Sequence, residues 1–135
     1  MNILIDTNIA LDLSLKRPKL IDTSLKAVQA ALSHGHHLYF LSSSVTDFYY
    51  ILKKNKLSND ASLASIRYLA TYTSFATVDE DAIIKSLDSP IKDFEDAVVD
   101  TVATNIKADI ILTRNKKDFI NSSNKVLTPE EFLSL

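Results

Sequence analysis

The stretch NILIDTN, residues 2–8, decides the fold because a short buried strand in it ends at a carboxylate. Residues 2–6 are a short and largely apolar run, which is typical of a strand covered on both faces of a parallel sheet. The run ends at Asp6, and Thr7 and Asn8 follow directly. Two interpretations of Asp6 are open: it belongs to a site at the end of the strand, or it caps a helix that begins near Asn8.

Further strands alternate with helices along the chain. We predict strands at residues 38–42, 75–78, 109–113 and 125–127. We predict helices at residues 8–14 and 20–35, from Ser43 or Ser44 to 56, from Asn59 to 73, at 79–87 and 93–107, and after Thr128, with Pro129 in the first position. This alternation predicts a parallel sheet that helices cover on both faces. The length fits one domain, residues 1–135.

Composition excludes several classes of protein. The chain has no cysteine, which excludes disulfides and thiolate metal sites. No apolar run approaches the roughly 20 residues that span a bilayer, and no basic segment leads into one, so we expect a cytoplasmic protein without a signal peptide. The 15 Lys and Arg against 17 Asp and Glu give a net charge of −2. A protein that binds duplexes tightly is usually more basic, so nucleic acid would contact a local patch or a bound metal ion.

Acidic residues recur where the carboxyl ends of the predicted strands meet. Ligands of parallel sheets bind beyond those ends. The residues predicted there are Asp6, Asp47, Asp96, Asn115 and Asp118. Several carboxylates at one place repel each other, so such a cluster calls for a cation. Oxygen ligands favour Mg²⁺ or Mn²⁺, and these ions at a sheet edge suit phosphoryl chemistry.

Each segment also has a purely structural interpretation. Asp93, Asp96 and Asp100 lie along one line of a helix, which is equally typical of a solvated acidic face. Asp118 then only caps or closes a turn. The aromatic residues 48–50, FYY, are then part of the core.

Four segments, in this order, resemble the motifs of the PIN-domain ribonuclease family. They are LIDTNIALDL (4–13), SSSVTDFYYIL (42–52), DFEDAVVDTVA (93–103) and ADIILTRNKKDF (108–119). The ending VLTPEEFL (126–133) is similar to that of one subgroup. The resemblance covers essentially the whole chain and extends to the VapC-like toxins of toxin–antitoxin pairs.

The resemblance implies a metal-dependent endoribonuclease with a three-layer α/β/α fold and a central, mostly parallel sheet of four to five strands. It assigns catalytic roles to Asp6, Asp47, Asp96 and Asn115, metal binding to Asp6, Asp96 and Asp118, supporting roles to Asn8, Glu95, Asp100 and Thr113, and RNA binding to Arg114, Lys116 and Lys117. Two positions depart from the family pattern. Asp47 stands where the family more often has Glu, and Asn115 stands where many members have a fourth Asp.

The resemblance also implies partners: an RNA substrate, Mg²⁺ or Mn²⁺, a cognate antitoxin and a second copy of the chain. Four tyrosines are candidates for the dimer interface or for the core, namely Tyr49, Tyr50, Tyr68 and Tyr72. Two other functions stay open. One is a PIN-like module that binds RNA or protein with little catalysis, and the other is a different Mg²⁺-dependent phosphoryl-transfer enzyme.

Overall fold

A single five-stranded sheet organises the chain in the computed structural model, which describes residues 1–135. The strands are β1 (Asn2–Ile5), β2 (His37–Leu41), β3 (Ser74–Ala76), β4 (Ile110–Leu112) and β5 (Val126–Leu127). Their order across the sheet is β3-β2-β1-β4-β5, and every pairing is parallel. β1 therefore lies at the centre, and its carboxyl end is flanked by those of β2 and β4.

Helices fill the connections between the strands. They are α1 (Thr7–Leu15), α2 (Leu20–Ser33), α3 (Val45–Lys54), α4 (Asn59–Tyr72), α5 (Glu80–Ser86), α6 (Phe94–Asn105) and α7 (Pro129–Leu133). Two short 3-10 helices, Ser42–Ser44 and Lys116–Phe119, follow β2 and β4. None of the helices has the length and apolar character needed to cross a membrane.

The sheet separates two apolar cores, because successive residues of a strand face opposite sides. Ile3 and Ile5 of β1 belong to the core beneath α1–α4 and α7. Leu4, between them, belongs to the core beneath α5 and α6. All three side chains are fully or almost fully buried. The predicted three-layer α/β/α arrangement is confirmed.

The helix caps differ in part from the predicted ones. Ser58, and not Asn59, caps α4, because its Oγ accepts a hydrogen bond from the Ala61 N–H at 3.0 Å. Neither Ser43 nor Ser44 caps α3 with its side chain, since the 3-10 helix runs directly into α3. The predicted cap of α7 is confirmed.

Reciprocal hydrogen bonds at the start of α7 form a capping box. The Glu131 N–H donates to Thr128 Oγ1 at 3.2 Å, and the Thr128 N–H donates to Glu131 Oε2 at 3.1 Å. Pro129 takes the first position of the helix.

The aromatic residues divide between the core and the surface. Phe48 is fully buried, as the core interpretation predicts. Tyr50 is 68% exposed and Tyr68 is 52% exposed, so a core position is wrong for both. Tyr49 and Tyr72 are half-buried.

Lysines take the left-handed backbone conformation at three helix ends. Lys16 ends α1 with φ 49°, Lys56 follows α3 with φ 69°, and Lys107 follows α6 with φ 55°. Gly35 takes the equivalent position after α2, with φ 76°. This conformation costs a residue with a Cβ roughly 1–2 kcal/mol.

Lys107→Gly is expected to raise the free energy of unfolding by roughly 0.5–1 kcal/mol, because relief of the strained φ outweighs the greater freedom of the unfolded chain. Urea unfolding measures the change. Lys53→Gly, in the last turn of α3, is the control and is expected to lower the free energy of unfolding by about 1 kcal/mol. Equal destabilisation by both substitutions would contradict the assigned strain.

Candidate active site

Asp6 links the end of β1 to the start of α1. Its Oδ1 accepts a hydrogen bond from the Thr7 N–H at 2.8 Å, so Asp6 is the N-cap of α1. Its Oδ2 accepts hydrogen bonds from Thr113 Oγ1 at 2.8 Å and from Asn8 Nδ2 at 3.3 Å. The interpretation of Asp6 as a helix cap is therefore confirmed, and its second oxygen is held at the sheet edge, where the other interpretation predicts a site.

Asn8 connects the residues that follow β1 and β4. Its Nδ2 donates to Thr113 Oγ1 at 3.2 Å as well as to Asp6, and its Oδ1 accepts from the Arg114 N–H at 3.3 Å. Thr113 is fully buried, and its Oγ1 also accepts from the Asn115 N–H at 3.1 Å. The two predicted supporting residues Asn8 and Thr113 thus lie directly against Asp6 and hold its orientation.

Asp96 brings a second carboxylate to the same edge, from the first turn of α6. The pKa of Asp96 is raised to about 7, mainly by burial and in addition by the charges of Asp6, Asp93, Asp118 and Glu95. Asp93 is the N-cap of α6, where its Oδ2 accepts the Asp96 N–H at 3.0 Å. Acidic groups from β1, α6 and the segment after β4 therefore act on one another.

Opposing effects act on the pKa of Asp6. Burial of its carboxyl group is the main cause that raises the pKa of Asp6, and the charge of Asp118 adds to it. The hydrogen bonds from Thr113 and Thr7 and the charge of Arg114 lower the same pKa. The net effect is a raised pKa, so the protein's own hydrogen bonds and cation do not fully compensate the buried charge.

Glu95 and Asp47 extend the acidic group toward solvent. Partial burial raises the pKa of Glu95, with further contributions from the charges of Asp47, Asp6 and Asp93. Glu95 and Asp47 are both exposed side chains. We call the set Asp6, Glu95, Asp96 and Asp118 the acidic edge, with Asp47 and Asp93 at its rim.

The ligand atoms of the acidic edge suit a hard divalent cation, but the distances between the side chains do not. Its ligands are all carboxylate oxygens, the donors that Mg²⁺ and Mn²⁺ prefer. Burial is the main cause of the raised pKa values of Asp6 and Asp96, and neighbouring carboxylates add to it, so a nearby cation would favour their ionised forms. No three acidic or histidine side chains converge closely enough to hold a metal ion as they stand. Ligation by the three predicted ligands, Asp6, Asp96 and Asp118, therefore requires side-chain movement.

Asp100 lies away from the acidic edge. Its Oδ1 accepts hydrogen bonds from Ser122 Oγ and from Asn124 Nδ2, the latter at 2.8 Å, so it ties α6 to the segment before β5. Asp100 is not among the groups whose charges act on Asp6, Asp96 or Glu95. Of the three aspartates that were predicted to lie along one line of the helix, Asp93 caps the helix, Asp96 belongs to the acidic edge and Asp100 holds a loop.

The remaining predicted residues lie on the surface after β4. Asn115 is exposed and precedes the 3-10 helix, and its side chain makes no hydrogen bond. Lys116 Nζ forms an ion pair with Glu131 Oε1 at 3.0 Å, and Lys117 is exposed without an ion pair. A groove of about 310 Å³, lined by Asp96 and Asp118 among others, lies beside this segment.

The sequence interpretation overlooked Asp12, which is fully buried on α1. Its Oδ2 accepts hydrogen bonds from Arg114 Nε and from Ser24 Oγ, each at 2.7 Å. Its Oδ1 has no hydrogen bond, and the nearest cation is Arg17 Nη1 at 3.7 Å. The signal in the sequence is a single carboxylate between two leucines of an apolar helix, since a buried charge needs a partner.

We expect the metal-free protein to lose stability as the pH rises from about 4 to about 7. In this window folded Asp96 keeps a proton that the unfolded chain has released, because its pKa rises from 3.8 to about 7 on folding. Asp96→Asn should lose less stability over the same window, and Asp6 and Glu95 should account for the remainder. Melting temperatures with a chelator at about pH 5 and about pH 8 measure the difference.

Asp60→Asn, an exposed change in the first turn of α4, is the matched control and should follow the wild type. If Asp96→Asn also follows the wild type, Asp96 does not titrate as described.

Comparison with known proteins identifies the family. The model of the PIN domain matches residues 2–117. No curated protein sequence gives a significant match.

Several solved structures have a similar fold. VapBC2 from Rickettsia felis, bound to a promoter DNA fragment, has a TM-score of 0.77 at 13% identity and covers 95% of this chain and 98% of that chain. A toxin–antitoxin complex from Klebsiella pneumoniae has a TM-score of 0.71 at 21% identity, covering 94% and 97%. VapC20 from Mycobacterium tuberculosis, a toxin that cleaves the sarcin-ricin loop, has a TM-score of 0.63 at 14% identity, covering 81% and 86%.

At these identities the solved structures establish a common fold. The family match covers far more than half of the chain and includes Asp6, Asp47 and Asp96. The chain belongs to the PIN domain family.

Proposed function

We propose that the protein is an endoribonuclease that depends on Mg²⁺ or Mn²⁺. The observation that carries this proposal is the effect of the Asp6 charge on Asp96, since the two carboxylates come from different elements and lie at the carboxyl edge of the sheet. Carboxylates are rarely assembled at such an edge without a cation, and membership of the PIN domain family favours hydrolysis of RNA.

Asp6, Asp96 and Asp118 would hold the cation. A bound Mg²⁺ or Mn²⁺ would polarise the scissile phosphate and lower the pKa of an attacking water. Thr113 and Asn8 hold the Asp6 carboxylate in a fixed orientation. No side chain is needed as a nucleophile.

The remaining roles follow from the surroundings of the acidic edge. Asp47 and Glu95 would keep further negative charge near the cation, and Asn115 would contribute only a neutral amide oxygen. Lys117, which is exposed and unpaired, would contact RNA phosphates, and Lys116 would do so after leaving Glu131.

We also propose that the protein is the toxin of a toxin–antitoxin pair. The similar folds of VapBC2, the Klebsiella pneumoniae complex and VapC20 support this proposal. An antitoxin would block the acidic edge, for which an inserted arginine is the fitting group because it binds carboxylates in a bidentate manner. A homodimer through exposed Tyr50 and Tyr68 is part of the same proposal.

A second candidate function is a binding module with little catalysis. Two observations favour it: the acidic side chains do not converge into a ready metal site, and Asn115 replaces a carboxylate with an amide. Such a protein would bind RNA or a partner protein and leave the RNA intact.

Asp96→Asn is expected to reduce Mn²⁺-dependent cleavage of a labelled RNA hairpin at least about 100-fold, more than the loss of a group that only supports a ligand. The substitution preserves volume, so circular dichroism should show an intact fold. Gel analysis of the RNA measures the rate.

Asp60→Asn makes the same chemical change far from the acidic edge and should cleave like the wild type. Wild-type cleavage by folded Asp96→Asn would refute the assigned site. RNA binding without any cleavage by the wild type would favour the binding module, and hydrolysis of a phosphomonoester instead of RNA would indicate a different phosphoryl-transfer enzyme.

A further inference from the structure

A buried ion pair lies beside the acidic edge and has no part in the proposed cation site. Asp12 is 0% exposed, and Arg114 Nε donates to its Oδ2 at 2.7 Å. Taking a carboxylate out of water costs several kcal/mol unless partners compensate for it. Ser24 and Arg17 supply only part of this compensation, because one hydrogen-bonds the same oxygen and the other stands 3.7 Å from Oδ1. Asp12 therefore depends on Arg114.

The hydrogen bond with Asp12 also fixes the position of the Arg114 side chain. Its backbone N–H donates to Asn8 Oδ1, and its Nε is held by Asp12, so both the start and the far part of the side chain are anchored. Its two terminal Nη groups make no hydrogen bond within the protein, and the side chain keeps 21% of its surface exposed. A guanidinium carries five N–H donors. Four of them are left free on a residue that directly follows Thr113 in the chain, and Thr113 Oγ1 donates to Asp6.

The position of Arg114 suits a phosphate near Asp6. Two free Nη groups form the fork that binds phosphate oxygens in a bidentate manner. Anchoring through Nε removes much of the entropy that a free arginine loses on binding. Asn8 links Arg114 to Asp6, because its Oδ1 accepts from the Arg114 N–H and its Nδ2 donates to Asp6 Oδ2, and the charge of Arg114 lowers the pKa of Asp6.

We propose that Asp12 is a positioning residue that holds Arg114 by its Nε, so that the free Nη groups bind a backbone phosphate of RNA beside Asp6. This inference rests on the proposed function for the identity of the ligand. A buried carboxylate would then control substrate binding although it touches neither the RNA nor the cation.

A structural role for Asp12 predicts something different. If Asp12 only joins α1 to α2, then every loss of its partners lowers stability and leaves RNA affinity unchanged. Ser24→Ala tests this interpretation, because it removes a 2.7 Å hydrogen bond from the same Oδ2 without touching Arg114. The positioning role thus predicts a loss of RNA affinity, whereas the structural role predicts only a loss of stability.

The experiment measures binding of a fluorescein-labelled RNA hairpin by anisotropy, with a chelator present so that no cleavage occurs. We expect Arg114→Ala to weaken binding about tenfold, the effect of 1.4 kcal/mol, and to reduce its salt dependence by about one phosphate contact. Asp12→Asn should weaken binding to a similar extent, and adding it to Arg114→Ala should cause no further loss. Ser24→Ala should bind like the wild type.

Arg114→Lys keeps the charge and loses the Nε–H that Asp12 holds, so it should bind RNA as weakly as Arg114→Ala. Equal affinity of Arg114→Lys and the wild type would overturn the proposal, even if Asp12→Asn fails to fold. The proposal would also be overturned if Asp12→Asn lowered the RNA affinity of the Arg114→Ala protein as much as it lowers that of the wild type.

The outcomes also separate this inference from the proposed function. RNA that is bound through Arg114 and never cleaved contradicts the ribonuclease alone. RNA that is cleaved and bound equally well by Arg114→Ala contradicts the role of Arg114 and Asp12 alone. Absence of RNA binding by the wild type overturns this inference.

Discussion

The carboxylate of Asp6 is hydrogen-bonded on both oxygens, and the rest of the site is arranged around it. One oxygen starts α1, and the other is held by residues next to β1 and β4, the two strands that are neighbours at the centre of the sheet. Any change in the register of β1 against β4 would separate Asp6 from Thr113. The register of a parallel sheet is thereby coupled to the orientation of one functional side chain.

The acidic edge opposes the stability that the two cores provide. Burial and neighbouring charges raise the pKa of both Asp6 and Asp96, so each carboxylate is less stable when ionised in the folded protein than in the unfolded chain. Sites that are built for binding commonly lower stability in this way. The chain as a whole is only weakly acidic, with a net charge of −2, so the repulsion is local.

The sequence predicts the fold correctly and also predicts where Asp6 and Asp96 lie in it, for physical reasons that particular residues make clear. Apolar strands predict their own positions, and Asp6 and Asp96 follow from where a strand ends and a helix begins. Asp12 was missed because its meaning depends on Arg114, which is 102 residues away. Asp100 was misleading because its partners, Ser122 and Asn124, come from a loop whose path local periodicity does not determine. Ser58 replaced Asn59 as a cap because both residues have suitable side chains and only the backbone geometry decides between them.

The proposed function requires that a divalent cation bind at the acidic edge and offset its negative charge. Thermal unfolding of the wild type and of Asp96→Asn, each titrated with Mn²⁺, tests it most directly. A cation that binds only the folded state stabilises it by RT ln(1 + [L]/Kd). We expect metal-free Asp96→Asn to melt at or above the temperature of the metal-free wild type. Added Mn²⁺ should raise the melting temperature of the wild type much more than that of the variant. A parallel response of the two proteins to Mn²⁺ would contradict it.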